Sequence, residues 1–240
     1  MNSTKPTIGR GGKPITNLTC FFRHNEHTFK PYAERVLPDL VRRVREPVIL
    51  SAPCSTGQEA HSIAAVNHRF GASHISVEGI DISPEVLDVA RVGTYEISET
   101  VFTQFAPLRE YPQLIIKKGT VEREVTVFDS RFQKRFVQLE VADELREGVS
   151  FSVGDIINGE LPRCYDVIFC MNFLDLLEDE DMGRALDNIV AHISEGGYLV
   201  MGDFQGGTLR PEEGLIAIRY PRLVSVGEDP QRIYQKILTK

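Results

Sequence analysis

The stretch VILSAPCSTGQEA, residues 48–60, combines a strand, a turn of small residues and the start of a helix. Its opening run, VILSA, is apolar, as in strands buried on both faces of a parallel sheet. The CSTG turn ending at Gly57 lets a ligand approach the backbone, and the helix after it offers free N–H groups. The stretch lacks the GxGxxG of dinucleotide binders and the GK[ST] of phosphate loops. An ordinary tight turn and a ligand-binding turn are both compatible with it.

The same pattern of strand, turn and helix is repeated along the chain. ISVEGIDIS is a second strand ending at Asp81, and Ser83 and Pro84 are a helix cap and first helical residue. A helix over about 179–193 is expected to end near Ser194, with glycines beyond it as C-terminal punctuation. The other strand-like runs are VSFSVGDI, YDVIFCMNF, SEGGYLVMGDF and RIYQKIL. This alternation predicts an α/β fold with a parallel sheet.

Three further segments complete the predicted organisation. Residues 1–14 mix Gly, Pro, Ser, Thr and Lys without periodicity, which predicts a flexible lead-in. Apolar residues at three- and four-residue spacing predict an amphipathic helix over 27–45, interrupted by Pro38. Residues 96–148 are rich in charge, Phe and Thr, which indicates a small antiparallel β insertion. Residues 15–240 are therefore expected to form one domain that carries this insertion.

Composition excludes several classes of protein. A chain of 240 residues with 42% hydrophobic residues is long enough for one α/β domain with a small insertion. The net charge of −7 disfavours a nucleic-acid partner. Apolar runs fall short of the roughly 20 residues that span a bilayer, and the N-terminus lacks a signal-peptide core, so a cytoplasmic protein without membrane insertion is expected. The four cysteines form no CxxC pair, which indicates neither a metal site nor disulfides.

Polar residues follow three of the predicted strands. In a doubly wound sheet, ligands bind beyond the carboxyl ends of the strands. Asp81 can accept hydrogen bonds from a ribose diol there, although a solvated loop acid or a helix cap is equally compatible. Asp155 can accept from an adenine amine while Ile156 packs on the ring. Asn172 is costly to bury without partners, so a ligand-facing or turn-forming role is expected.

Taken in order, these segments resemble a known family. TNLTCFFR, residues 16–23, is similar to the NLTxFFR segment of the chemotaxis-receptor protein-glutamate methyltransferases, and SAPCSTGQEAHSIA, residues 51–64, to their SAxCSTGEEPYSIA. YDVIFCMNF resembles the family's FDvIFCRNV. The resemblance extends from about Thr16 to the C-terminus and includes GIDISPEVLDVARVGTY, VADELREGVSF and SEGGYLVMG.

The resemblance implies a Rossmann-like methyltransferase sheet, mostly parallel with an antiparallel last strand, carrying a small β insertion. The implied cofactor is S-adenosyl-L-methionine, with S-adenosyl-L-homocysteine as product. Arg23 would lie near the methyl-transfer site as the catalytic candidate, while Glu59 and Asp81 would contact the amino-acid and ribose portions. Asp155 replaces the family's usual Asn. The full set of implied cofactor-binding residues is Asn17, Thr19, Arg23, Ala52, Gly57, Glu59, Asp81, Asp155, Ile156, Asn172 and Phe173.

The chain also departs from the family pattern, which leaves the methyl acceptor open. Gln58 and Ala60 replace a Glu and the Pro of the turn motif, Met171 replaces an Arg, and Leu176 replaces a Tyr near the acceptor. The helical domain that the family uses in receptor recognition is not expected here. The leading hypothesis is methylation of glutamyl side chains on a protein, with the cytoplasmic region of a chemoreceptor as candidate. The alternatives are another protein or small carboxylic acid as acceptor, and a non-catalytic cofactor-binding module.

Overall fold

A computed structural model describes residues 21–22, 25–104, 110–111, 113–127, 130–201, 216, 219–226 and 233–237. Its strands are numbered in chain order. They are β1 (Val48–Ser51), β2 (Ser76–Asp81), β3 (Thr94–Ser98), β4 (Ile115–Val127), β5 (Ser130–Val141), β6 (Val149–Val153), β7 (Tyr165–Cys170), β8 (Ile193–Met201), β9 (Leu223–Ser225) and β10 (Ile233–Lys236).

Seven strands form the main sheet, in the order β6-β2-β1-β7-β8-β10-β9. The pairs from β6 to β8 are parallel, whereas β10 is antiparallel to both β8 and β9. Ile49, Leu50 and Ile168 are fully buried, as expected for apolar strands covered on both faces. The predicted sheet, mostly parallel with an antiparallel last strand, is confirmed.

Two hydrophobic cores cover the faces of the main sheet. One contains Val36 and Leu40 from the N-terminal helices and Ile63 from the helix after β1. The other contains Leu186 and Ile189 from the helix before β8. The helices are α1 (Phe29–Pro31), α2 (Leu37–Arg43), α3 (Gln58–Arg69), α4 (Pro84–Val92), α5 (Glu99–Gln104), α6 (Asp143–Arg146) and α7 (Asp179–Ala191). Among the described residues, none of these is long and apolar enough to cross a membrane.

The interruption predicted at Pro38 takes the form of a π-helical segment, Tyr32–Val36, between α1 and α2. The Leu37 N–H donates to the Tyr32 carbonyl, so the helix widens by one residue and continues. Pro38 then lies in the first turn of α2, where a missing N–H is tolerated. The predicted cap of α4 is confirmed, since the Ser83 hydroxyl accepts from the Val86 N–H at 3.4 Å.

The predicted end of the helix before β8 is wrong. Helix α7 ends at Ala191, and β8 begins at Ile193 and contains both glycines. Gly196 has φ of +76°, and its carbonyl accepts a hydrogen bond from the Arg43 guanidinium at 2.8 Å. The pairing of β7 with β8 shifts register between Tyr165 and Val167. The glycines therefore belong to an irregular strand that packs near α2. The contact with Arg43 of α2 cannot be predicted from the local sequence.

The insertion is a separate antiparallel sheet of three strands in the order β3-β5-β4. Its first strand begins at Thr94, slightly before the predicted segment, and Tyr95, Val137 and Leu139 pack into the same core as α3. The predicted antiparallel insertion is thereby confirmed. The flexible lead-in falls outside the described residues, and the division of the chain at residues 14 and 15 stays a prediction.

Candidate functional site

The turn at residues 52–57 lies where β1 ends, at what we call the carboxyl edge of the main sheet. Backbone hydrogen bonds tie it to both neighbouring strands: Ala52 N–H donates to the Phe169 carbonyl of β7 at 2.9 Å, and Cys54 N–H to the Ile80 carbonyl of β2 at 2.8 Å. Ser55 N–H donates to Asp81 Oδ2 at 2.8 Å. The three strand ends are therefore drawn around one turn.

Gly57 forms the N-cap of α3 with φ of +83°, in the left-handed region. A Cβ at this position would lie 2.6 Å from the Ala90 Cβ and 2.9 Å from the Phe151 Cζ. Both backbone conformation and space therefore require glycine. Gly57 has no side chain with which to cap α3, although a capping Ser, Thr, Asp or Asn is the common solution at helix N-termini.

Asp81 joins the end of β2 to both flanking segments. Its side chain is buried, and its second oxygen, Oδ1, accepts from the Ser83 N–H at 3.0 Å. The Asp81 carbonyl accepts from the Gly154 N–H at 3.0 Å, which brings the end of β6 to the same place. A Cβ on Gly154 would lie 2.5 Å from the Ile80 Cγ2. Asp81 therefore orders the turn in addition to any contact with a ligand.

Glu59 lies in the first turn of α3, and its Oε1 accepts from the Ser51 hydroxyl at 2.7 Å. Cys54 is buried between this carboxylate and Asp81. Burial first, and then the negative charges of Asp81 and Glu59, raises the pKa of the Cys54 thiol, so the thiol stays protonated. The charge at this edge is negative, which suits the cationic part of a ligand.

Asn172 follows β7 with φ of +53°, and its buried Oδ1 finds no hydrogen-bond partner within the described part of the chain. Ser55, at the end of the neighbouring strand β1, has φ of +49° and a buried hydroxyl that likewise lacks a described partner. An unsatisfied buried polar group costs about 1–3 kcal/mol. Two of them, both on left-handed residues at adjacent strand ends, indicate a site shaped for a ligand.

The predicted adenine contacts lie beyond β6. Asp155 Oδ1 accepts from the Ile157 N–H at 2.8 Å and the Asn158 N–H at 3.1 Å, so this carboxylate holds its own loop. Partial burial by itself raises the pKa of Asp155, but the hydrogen bonds from Asn158 and Ile157 outweigh it and leave the pKa below its usual range. Ile156 and Ala52 share one apolar cluster, against which Phe173 packs.

Asn17, Thr19 and Arg23 fall outside the described residues. Phe21 and Phe22, from the same TNLTCFFR segment, are described and buried. The Phe22 N–H donates to the Ser62 hydroxyl of α3 at 2.9 Å, and the Phe21 ring meets the Tyr95 ring edge to face at 5.0 Å. This part of the segment therefore packs beside the helix that carries Glu59.

Sequence reasoning assigned no role to four residues around the turn: Ser51, Ser55, His61 and Tyr95. The Tyr95 hydroxyl donates to the Thr56 carbonyl at 2.7 Å. The buried His61 Nε2 lies 3.1 Å from the Ala90 carbonyl, and burial lowers its pKa to about 4. Tyr95 is the last residue of the segment GIDISPEVLDVARVGTY, so the family resemblance could have drawn attention to it. The hydrogen bond between Ser51 and Glu59 could not be predicted from the local sequence.

A groove lies at the opposite, amino edge of the sheet. This groove of about 330 Å³ is lined in part by Val190, Tyr220 and Lys236. Its cations already have partners: Lys236 Nζ donates to the Val190 and Ile193 carbonyls. Arg219 pairs with Asp187, and Arg222 with Glu195. The carboxyl edge, whose buried acceptors lack a partner in the described part of the chain, is the better candidate for the site.

The main sheet is doubly wound and mostly parallel, with the antiparallel strand β10 between β8 and β9, and its candidate site lies at the carboxyl edge, so the fold is Rossmann-like. Residues 17–206 match the family model described as "CheR methyltransferase, SAM binding domain". The chain belongs to the CheR methyltransferase family.

Several curated relatives are similar over most of the chain. The chemotaxis protein methyltransferase of Vibrio parahaemolyticus is 28% identical over 195 residues, which are 78% of this chain and 64% of that protein. Chemotaxis protein methyltransferase 1 of Vibrio cholerae gives the same values. Chemotaxis protein methyltransferase 1 of Pseudomonas aeruginosa is 27% identical over 202 residues, 78% of this chain and 65% of that protein. The chain thus spans slightly less than two thirds of the length of these relatives.

Proposed function

We propose that this chain binds S-adenosylmethionine at the carboxyl edge of the main sheet and methylates the carboxylate of a glutamyl side chain on a protein. The observation that carries the proposal is a pair of buried acceptors, Asn172 Oδ1 and Ser55 Oγ, that have no hydrogen-bond partner among the described residues. The family description and the names of the relatives support the cofactor and the chemotactic setting. The protein substrate that best fits them is the cytoplasmic region of a chemoreceptor, reached from the cytoplasm.

The residues at this edge fit the chemical groups of that cofactor. Its α-ammonium needs hydrogen-bond acceptors and negative charge, which Glu59, Asn172 and Ser55 supply. Asp81 retains acceptor capacity for a ribose diol beyond its two backbone hydrogen bonds, because a carboxylate offers about four lone-pair sites. Ile156 and Phe173 provide apolar surface for the adenine.

The chemistry of the site suits a carboxylate acceptor. The bound cofactor would supply an electrophilic methyl group. A glutamate with an ordinary pKa of about 4.3 is already ionised at pH 7, so its attack requires no general base. His61, which lies behind the turn, is held neutral and directed at the Ala90 carbonyl, and so is not placed to act as a base. We assign Arg23 the role of orienting the acceptor carboxylate by charge-assisted hydrogen bonds.

Calorimetric titration with S-adenosylhomocysteine tests the cofactor, and base-labile methyl transfer to chemoreceptor cytoplasmic fragments tests the acceptor. We expect saturable binding and methanol release on alkaline treatment of the fragments. Absence of binding at millimolar ligand would refute the proposal.

Arg23→Ala should lower kcat more than cofactor affinity, whereas equal loss of both would contradict its role. Arg163→Ala, which removes an exposed arginine at the amino edge, is the matched control.

Two residues after β7 favour a second candidate, in which the acceptor is another protein or a small carboxylic acid. Met171 is buried in the core, and Leu176 belongs to the short 3-10 helix Leu174–Leu176. Neither supplies the charge or hydroxyl found at these positions in the family pattern. Cofactor binding without methylation of receptor fragments, followed by turnover on other carboxylates, would select this candidate. Binding without turnover on any carboxylate would indicate a non-catalytic module.

A further inference from the structure

We propose that Tyr95 is a positioning residue: its hydroxyl, reaching from the three-stranded insertion, holds the Thr56–Gly57 peptide in the geometry that binds the cofactor. This inference rests on the proposed function of the carboxyl edge and adds a link between the insertion and that site. It also assigns a role to a tyrosine that is not among the predicted cofactor-binding residues.

The hydrogen bonds of the turn single out one peptide unit. Because a peptide is planar, the direction of the Thr56 carbonyl sets the direction of the Gly57 N–H. The carbonyl accepts from Tyr95 at 2.7 Å, and the N–H donates to the Cys54 carbonyl at 3.0 Å. The first anchor comes from the insertion sheet and the second from the turn itself. Loss of the Tyr95 hydroxyl leaves the carbonyl side without the anchor that the insertion provides.

Left-handed residues lie close to this peptide on both sides. Ser55 has φ of +49°, and Gly57 has φ of +83°. A non-glycine residue in the left-handed region persists only where its surroundings enforce it. The N–H of Ser55 is held by Asp81, so Tyr95 and Asp81 hold the turn at two consecutive residues. A turn held less firmly would occupy other conformations, and cofactor affinity falls in proportion to the population that is lost.

Tyr95 is itself fixed by the insertion. It lies in β3 opposite Leu139 of β5, and its ring is buried edge to face against Phe21 at 5.0 Å and His61 at 6.1 Å. Burial raises the pKa of its phenol, so the hydroxyl remains a hydrogen-bond donor at any physiological pH. A shift of β3 would therefore move the donor away from Thr56. The position of the insertion and the affinity of the cofactor site are coupled through this ring.

The test compares two tyrosines that each lose one hydroxyl. Tyr95→Phe keeps the ring and removes the hydrogen bond to Thr56. Tyr165→Phe removes a hydroxyl that donates to Glu78 Oε2 at 2.8 Å, at the amino edge of the sheet. We expect Tyr95→Phe to weaken S-adenosylhomocysteine binding by roughly tenfold, the scale of one buried hydrogen bond, and Tyr165→Phe to leave the Kd within twofold. Unfolding temperatures of both variants report any purely structural loss.

Amide hydrogen exchange of the ligand-free protein is the second arm, and it separates failure of this inference from failure of the proposed function. Tyr95→Phe should speed exchange of the Gly57 amide, whereas Tyr165→Phe should leave it as in the wild type. Unchanged Gly57 exchange and unchanged Kd in Tyr95→Phe would overturn the role of Tyr95, as would equal weakening by Tyr165→Phe. A wild type that binds no S-adenosylhomocysteine would refute the cofactor proposal, while the exchange rates would still decide whether Tyr95 holds the turn.

Discussion

The two edges of the main sheet satisfy their polar groups in opposite ways. At the amino edge, the Val48 N–H donates to Asp166 Oδ2 at 2.9 Å, and the Tyr165 hydroxyl donates to Glu78 at 2.8 Å. At the carboxyl edge, Ser55 and Asn172 are held in the left-handed region with buried oxygens that lack a described partner. At the amino edge these polar groups pair within the protein and stabilise the fold. At the carboxyl edge, acceptors and left-handed backbone remain that a ligand can use.

Stability and ligand binding should therefore depend on different residues at the two edges. A residue that completes a hydrogen bond at the amino edge should matter for the free energy of unfolding and little for binding. A residue at the carboxyl edge whose buried oxygen has no described hydrogen-bond partner should matter for binding and little for the free energy of unfolding. Residues that order the turn, such as Gly57 and Asp81, should affect both quantities.

The largest effect is expected from Gly57→Ala. The change places a Cβ in a left-handed residue and against Ala90 and Phe151, so we expect a loss of about 3 kcal/mol in the free energy of unfolding and loss of S-adenosylhomocysteine binding. Gly71→Ala is the matched control, because Gly71 has φ of +73° with no atom within 4 Å of the added Cβ. It should cost about 1 kcal/mol and leave binding intact. If urea denaturation gives the same loss of unfolding free energy for Gly57→Ala and Gly71→Ala, the contacts around Gly57 do not contribute to stability.

Acid should destabilise the folded protein through the buried His61. Burial lowers the pKa of His61 to about 4, from an ordinary value of 6.5. Between these values the unfolded chain binds a proton that the folded chain does not, so the free energy of unfolding falls as pH drops from 6.5 to 4, by about 3 kcal/mol in full.

Urea denaturation of the wild type and His61→Gln across this pH range measures the contribution of His61. The variant should lose that part of the slope, because glutamine does not titrate. His192→Gln, a change at the C-cap of α7, should retain the slope. A slope shared by all three proteins would mean that other groups cause the acid sensitivity.

Asp81→Ala and Asp166→Ala compare two carboxylates that accept backbone N–H groups at opposite edges. Asp81 accepts from Ser55 and Ser83, and Asp166 accepts from Val48. Each variant should lose about 1–3 kcal/mol of stability because donors are left unpaired. In calorimetry, Asp81→Ala alone should also weaken S-adenosylhomocysteine binding. Unchanged affinity would remove Asp81 from the site.

The smallest change in stability is expected from Asn172→Gly. Glycine tolerates the φ of +53° and removes the unsatisfied amide oxygen, so the free energy of unfolding should change by less than about 1 kcal/mol. Binding of S-adenosylhomocysteine should weaken by roughly tenfold, because the cofactor loses an acceptor. Stability lost without loss of affinity would show that Asn172 serves the turn and not the ligand.

The elements that sequence predicts well are those with a local cause. Apolar runs place β1 and β7, and the Ser83 cap with Pro84 places the start of α4, because each signal lies within a few residues of its effect. The end of α7 was predicted wrongly, since Gly196 and Gly197 also resemble helix punctuation. Their actual use, in a strand that meets Arg43, depends on a contact across 153 residues of chain.

Local sequence signals are enough to predict the alternation of strands and helices, the small insertion, the family and the candidate strand ends at Gly57, Asp81 and Asn172. The hydrogen bonds of Asp155 to its own loop, of Ser51 to Glu59 and of Tyr95 to Thr56 become visible only in the folded chain. Periodicity and capping act within one element and can be read locally. The direction of a side chain at a site depends on how several elements pack, and that is decided only when distant strands meet.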